Sequence, residues 1–263
     1  QRVSLIVWAK PRCDADSGLV SWYAHLGLAG DVDAAYRLGM QAEGRVVEEA
    51  VRWLRLAAEE GHWMAMQRLG RLLSARGRAE EAQQWSQRAA ACGWAEAQVD
   101  VGDALQRAGE HAAAVAAYVA AADQRHPGGL HRLGLAQLRG LGISRDEAAA
   151  REALEASASL GWADAQVLLA QRFATSPTQR HTLLSAAVAR GHPGAANSLA
   201  LAHAHEGRHT EARELLLLAA QRGHAKAMAN LALYLQQGVG GAPDAAAAEH
   251  WAAKAREAEL RSR

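Results

Sequence analysis

The chain has 263 residues, half of them apolar but only one of them Phe, and its charges nearly cancel at +1. That balance argues against a nucleic-acid partner or an acidic membrane surface, and no apolar run approaches the ~20 residues that span a bilayer, so no transmembrane segment is expected. The small, alanine-rich side chains suit packed helices and leave little material for strands.

Residues 1–14 fit no pattern, and Pro11 argues against a continuous helix, so they read as an N-terminal extension. Leu5–Trp8 is too short for a signal-peptide core. The chain starts at Gln1 rather than Met. A periplasmic location after loss of a leader is therefore expected, with the cytoplasm as the alternative. Residues 15–30 read as a half-repeat, with Trp22 ahead of Gly30. Six full units follow over 31–224, and a last unit covers 225–263. Each unit holds two helical runs around a short break rich in Gly, Ser or Pro. No linker divides them, so residues 15–263 are expected to form one domain.

The units share a register. Helices are predicted to stop at Gly30, Gly61, Gly93, Arg125, Gly161, Gly191 and Gly223, with gaps of 31, 32, 32, 36, 30 and 32. Glycine suits the left-handed residue that ends many helices. Four residues before the stops stand Ala57, Ala89, Ala121, Ser157, Ala187 and Ala219; four after stand Ala65, Ala97, Gly129, Ala165, Ala195 and Ala227. Small residues at facing positions let helices approach to roughly 8–10 Å. Eight and nine residues after the stops come Leu69-Gly70 and its equivalents, which become Leu-Ala in the last three units. A period near 32 lies in the range of helical repeats that stack into solenoids.

These units resemble Sel1-like repeats, relatives of the tetratricopeptide repeat. Gly140–Asp146 fits the family's Gly-x-Gly-Val loop with Ile143 for Val, and Trp22, Trp53, Trp85 and Trp251 match its second-helix aromatic. The resemblance covers roughly residues 15–258. Most loops are shorter than the family's, and the cysteine pairs of some members are missing. The resemblance implies an all-α fold, a right-handed α-solenoid of antiparallel helix pairs whose first helices line a concave face. Carried over by register, the partner-binding positions are Tyr36, Met40, Gln67, Arg71, Asp103, Gln106, His131, Arg139, Gln171, Asn197, His205, Gln236 and Gln237. Such polar side chains suit a protein or peptide groove better than an apolar ligand pocket.

The resemblance thus implies a non-catalytic scaffold or adaptor for another protein. The alternative is an immunity protein that neutralises a secreted bacterial toxin or effector such as a phospholipase. High Ala and Arg usage fits a GC-rich bacterial genome. A hydrolytic enzyme has least support: no Ser lies in a nucleophile elbow, and paired glutamates such as Glu48-Glu49 fall at helix ends, where the helix dipole explains them. No cofactor or metal is expected. His62, His126, His192 and His224 occupy one junction in different repeats, and His203, His205 and His209 point to different helix faces. Trp63, Trp94 and Trp162 read as wedges between repeats, with partner anchors as the alternative. Cys13 and Cys92, about two repeats apart, are expected to be unpaired thiols.

Overall fold

The computed structural model describes residues 31–261; the extension, the half-repeat and Cys13 lie outside the described residues. Fourteen helices and no strand occur among the described residues. They fall into two compact units that divide between Val101 and Gly102. The first unit holds α1 (Val32–Ala42), α2 (Val47–Glu59), α3 (Trp63–Ala75), α4 (Ala79–Ala91) and the start of α5 (Ala95–Arg107). The second holds the rest of α5 and α6 (His111–Asp123), α7 (Pro127–Arg139), α8 (Glu147–Ser159), α9 (Ala163–Arg172) and α10 (Pro177–Ala189). It continues through α11 (Pro193–His205), α12 (His209–Gln221), α13 (Ala225–Gln237) and α14 (Ala245–Arg261). Odd-numbered helices are the first of each pair and even-numbered helices the second.

The stops work as the register predicts. Gly61, Gly93, Gly161, Gly191 and Gly223 have φ between 84° and 91°, and Arg125 takes the same left-handed form at φ 57°. The next residue's N–H then reaches back to the carbonyl five residues earlier, as from His62 to Ala57 at 3.0 Å and from His224 to Ala219 at 3.1 Å. This closes the last turn and satisfies a carbonyl that the helix leaves open.

That same residue opens the next helix. His62, His126, His192 and His224 are N-caps: each Nδ1 accepts the N–H three residues on, at 3.2, 3.2, 2.9 and 3.1 Å. Asp31 caps α1 in the same way. One residue therefore ends a second helix and starts a first helix.

Small residues hold the pairs close. Ala57, Ala89, Ala121, Ser157, Ala187 and Ala219 are fully buried, as are Ala65, Ala97, Ala165, Ala195 and Ala227. Within pairs, a Cβ on Gly39 would stand 2.6 Å from Leu54, and one on Gly102 2.5 Å from Tyr118. The last three pairs carry Ala170, Ala200 and Ala232 there instead, all buried. Ala89→Leu is expected to overpack its junction at roughly 1–3 kcal/mol. Chemical denaturation checks this; wild-type stability in the variant would contradict a closed contact at Ala89.

Candidate functional site

Polar ties lace neighbouring first helices together within each unit. In the first unit, His62 faces Asp33 at 3.4 Å, Arg68 pairs with Glu43, and Arg71 reaches Glu96 at 2.7 Å and Asp100 at 3.2 Å. In the second, Arg132 binds Asp103 at 2.8 Å, His192 binds Asp164 at 2.9 Å, and Asn230 donates to Asn197 at 3.1 Å. Ion pairs this exposed contribute at most about 1 kcal/mol each. Their effect is positional: they hold the first helices of each unit side by side as one layer.

The candidate positions divide by their place along each first helix. The fifth helical residue faces into the layer: Tyr36 is half-buried and stacks on His62 at 4.5 Å, and Gln67, His131 and Asn197 are buried. The ninth is turned toward solvent at Met40, Arg71 and Gln171. Arg139, His205, Gln236 and Gln237, near helix ends, are exposed. Tyr36, Gln67 and Arg71 line one groove of the first unit, beside Trp63 and Trp94. Asp103, Gln106 and Arg139 line another in the second unit.

Asp103 does two jobs. Besides Arg132, it accepts from the buried Tyr118 hydroxyl at 2.8 Å, and the Gln106 amide lies 3.0 Å from the same hydroxyl. Burial, then Asp103, raises the Tyr118 pKa above its ordinary value. His131 is driven the other way, to about 4: burial dominates and Arg132 and Arg139 add to it, against Asp164 and Asp103. Both rings are therefore neutral near pH 7.

The ninth position also carries residues that the sequence reading passed over. Leu201 on α11 is 43% exposed and Leu233 on α13 is 53% exposed. Met40, which the sequence reading does name, occupies the same position on α1 at 37%. An apolar residue in a helix reads as core; the shared register with Arg71 and Gln171 was the signal that these are not.

Comparison with known families decides what this arrangement is. The Sel1 repeat model matches residues 32–62, 63–94, 127–162, 209–224 and 225–259, more than half of the chain. The chain belongs to the Sel1 repeat family. Sel1 repeats form scaffolds for protein–protein interaction, and their fold is typically a non-catalytic interaction module. No curated protein matches the chain. Among solved structures it is similar to a Sel1 repeat protein from Oxalobacter formigenes, with 21% identity and a TM-score of 0.72, covering 91% of this chain and 99% of that one. It is also similar to c5321, a protective antigen of uropathogenic Escherichia coli strains with an SLR fold. That match has 24% identity and a TM-score of 0.70, and covers 90% of this chain but 56% of c5321. At such identities the likeness bears on the fold, an all-α solenoid of antiparallel helix pairs.

The Sel1 register accounts for the junction aromatics. Trp63 opens the repeat over residues 63–94 and Trp94 closes it, and their rings meet at a tilt with centroids 3.4 Å apart. Trp162 stands at the equivalent junction, half-buried, 6.4 Å from the His131 ring. Trp94 and Trp162 pack against the cores beside them, whereas Trp63 is half-buried and, with Trp94, lines the groove of the first unit.

The register does not account for a second group. His203 meets neither His205 nor His209. It lies edge-on to His181 of α10, with ring centroids 5.1 Å apart, and Glu206 stands 3.1 Å from His181. The sequence reading missed His181 because it lies on the preceding helix, outside the local cluster. Burial, with Arg208 and His181 adding to it, holds the His203 pKa below the ordinary imidazole value. Arg208 lowers that of Glu206 by hydrogen bonding to it.

Proposed function

We propose that the chain is a non-catalytic adaptor that holds a partner protein against the first-helix layer of residues 102–263. One observation carries this reading. Leu201 and Leu233 are two large apolar side chains, 43% and 53% exposed, at the same position of neighbouring first helices. Gln171 is exposed at that position of α9, and Gln236 and Gln237 are exposed beside Leu233. Apolar anchors rimmed by polar side chains are the usual anatomy of a protein interface. The same position in the first unit carries Met40 and Arg71, so a similar role is proposed for its first-helix face.

This reading moves weight away from the charged candidates. Arg71 and Asp103 are already held by neighbouring helices. Reversing their charge would disturb the layer as well as any interface. Leu201 and Leu233 test the surface more cleanly. The partner is first isolated by affinity capture from the native host. Its affinity is then measured by calorimetry for wild type, Leu201→Asp, Leu233→Asp and the second-helix control Glu214→Arg. Loss of a central anchor costs about 2 kcal/mol or more, so each leucine variant is expected to bind at least ~10-fold more weakly. The control is expected to bind as wild type. The opposite pattern would place the partner on the second helices.

A further inference from the structure

His181, His203 and Glu206 come together in the second unit from α10, α11 and the residue that ends α11. One ligating atom from each lies within 4.8 Å of the others. Two ring nitrogens here lack hydrogen-bond partners although buried, His181 Nε2 and His203 Nδ1. His181 Nε2 is 3.1 Å from a Glu206 oxygen, yet the approach is not that of a hydrogen bond. A buried polar atom left unpaired is costly, and two of them on residues clustered with one carboxylate call for a group that would engage all three.

We propose that this corner binds one divalent transition-metal ion, with the two unpaired imidazole nitrogens and Glu206 as ligands. Imidazole and carboxylate together suit zinc, nickel or copper better than calcium or magnesium. Three protein ligands with a solvent-filled fourth position are an established zinc arrangement, and Glu206 is exposed, so water reaches the site. The site would join the second helix of one repeat to the first helix of the next.

Arg208 opposes it. Its guanidinium holds one Glu206 oxygen and lies 3.3 Å from His181 Nδ1. Arginine only donates, so Nδ1 accepts and the ring proton sits on Nε2. Metal binding at Nε2 moves that proton to Nδ1, the ring staying neutral, and Arg208 must turn away from it. Glu206 keeps one oxygen on Arg208 while its other oxygen ligates. Arg208 is thus a competitor whose removal favours the ion.

The test is titration of the full chain, carrying no His tag, with zinc chloride near neutral pH by isothermal calorimetry. One saturable equivalent is expected. His181→Ala and His203→Ala should each weaken it at least ~10-fold, with helicity by circular dichroism unchanged. Arg208→Ala should tighten it, and His205→Ala and His209→Ala should leave it as in wild type. Glu206 is exposed, so Glu206→Gln tests the site without disturbing packing and should also weaken binding. Absence of a saturable site overturns the proposal. So does an affinity unchanged by Glu206→Gln, or one that follows His205 or His209 instead.

Discussion

Replacing Gly142 with alanine is expected to lower stability by about 3 kcal/mol, from roughly 1–2 for the left-handed backbone and the rest for overpacking. Gly142 has φ +73°, and a Cβ there would stand 2.2 Å from the backbone carbonyl oxygen of His111. Backbone cannot swing aside as a side chain can. Gly240 repeats the arrangement at φ +71°, 2.3 Å from the carbonyl of His209. In each case the second glycine of the long loop lies against the start of the preceding second helix. Two controls separate the causes. Gly109 has φ +83° but open space around it, so Gly109→Ala should cost only about 1–2 kcal/mol. Gly44 has neither constraint, and Gly44→Ala should be neutral within about 1 kcal/mol. Urea denaturation of the three variants gives the ranking. Equal losses for Gly142→Ala and Gly109→Ala would mean that the loop does not press on α6.

This series shows why the fold was largely legible in the sequence. Glycine and alanine are informative where geometry leaves no alternative. The left-handed stops and the buried junction alanines follow from backbone sterics, which a register of small residues reveals directly. Arg125 shows the register to be stronger than residue type: it takes the left-handed form without being glycine. The role of the junction histidines was less legible. Their spacing marked them as structural, but Asp, Asn, Ser and Thr are the usual N-caps. That an imidazole Nδ1 serves the same purpose emerges only when the ring is placed over the next helix start.

The candidate surface was legible only by face. Register finds the first helices, but side-chain chemistry does not say which polar groups are spent within the layer. Arg71 and Asp103 have the chemistry of partner anchors, yet each is engaged by a neighbouring helix. Gln67, His131 and Asn197 sit one helical turn before the open position and are buried. Leu201 and Leu233 sit at the open position and are not. Contacts between repeats decide this, and a single repeat read in isolation does not contain them.

Lowering the pH from 7 to 5 is expected to remove about 2 kcal/mol of stability through His131 alone, out of roughly 3 kcal/mol at full acid shift. His131 has a pKa of about 4 in the fold against 6.5 in the unfolded chain, mainly because it is buried. The unfolded chain therefore takes up a proton below pH 6.5 that the fold refuses. Stability from this group is complete above about 6.5, falls as the pH drops, and is gone below about 4. His224, lowered by burial and then by Lys226 and His192, acts in the same direction. Its Nδ1 caps α13, so protonation there takes the acceptor away from the helix start. Urea unfolding at pH 7 and pH 5 measures the combined loss. His131→Gln removes the titrating group while keeping a polar side chain of similar length, so it should erase most of the difference between the two pH values. Direct titration of the His131 ring by NMR gives the second check. A ring that titrates near 6.5, or a His131→Gln variant as acid-sensitive as wild type, would show that water reaches the seam between α7 and the neighbouring repeat.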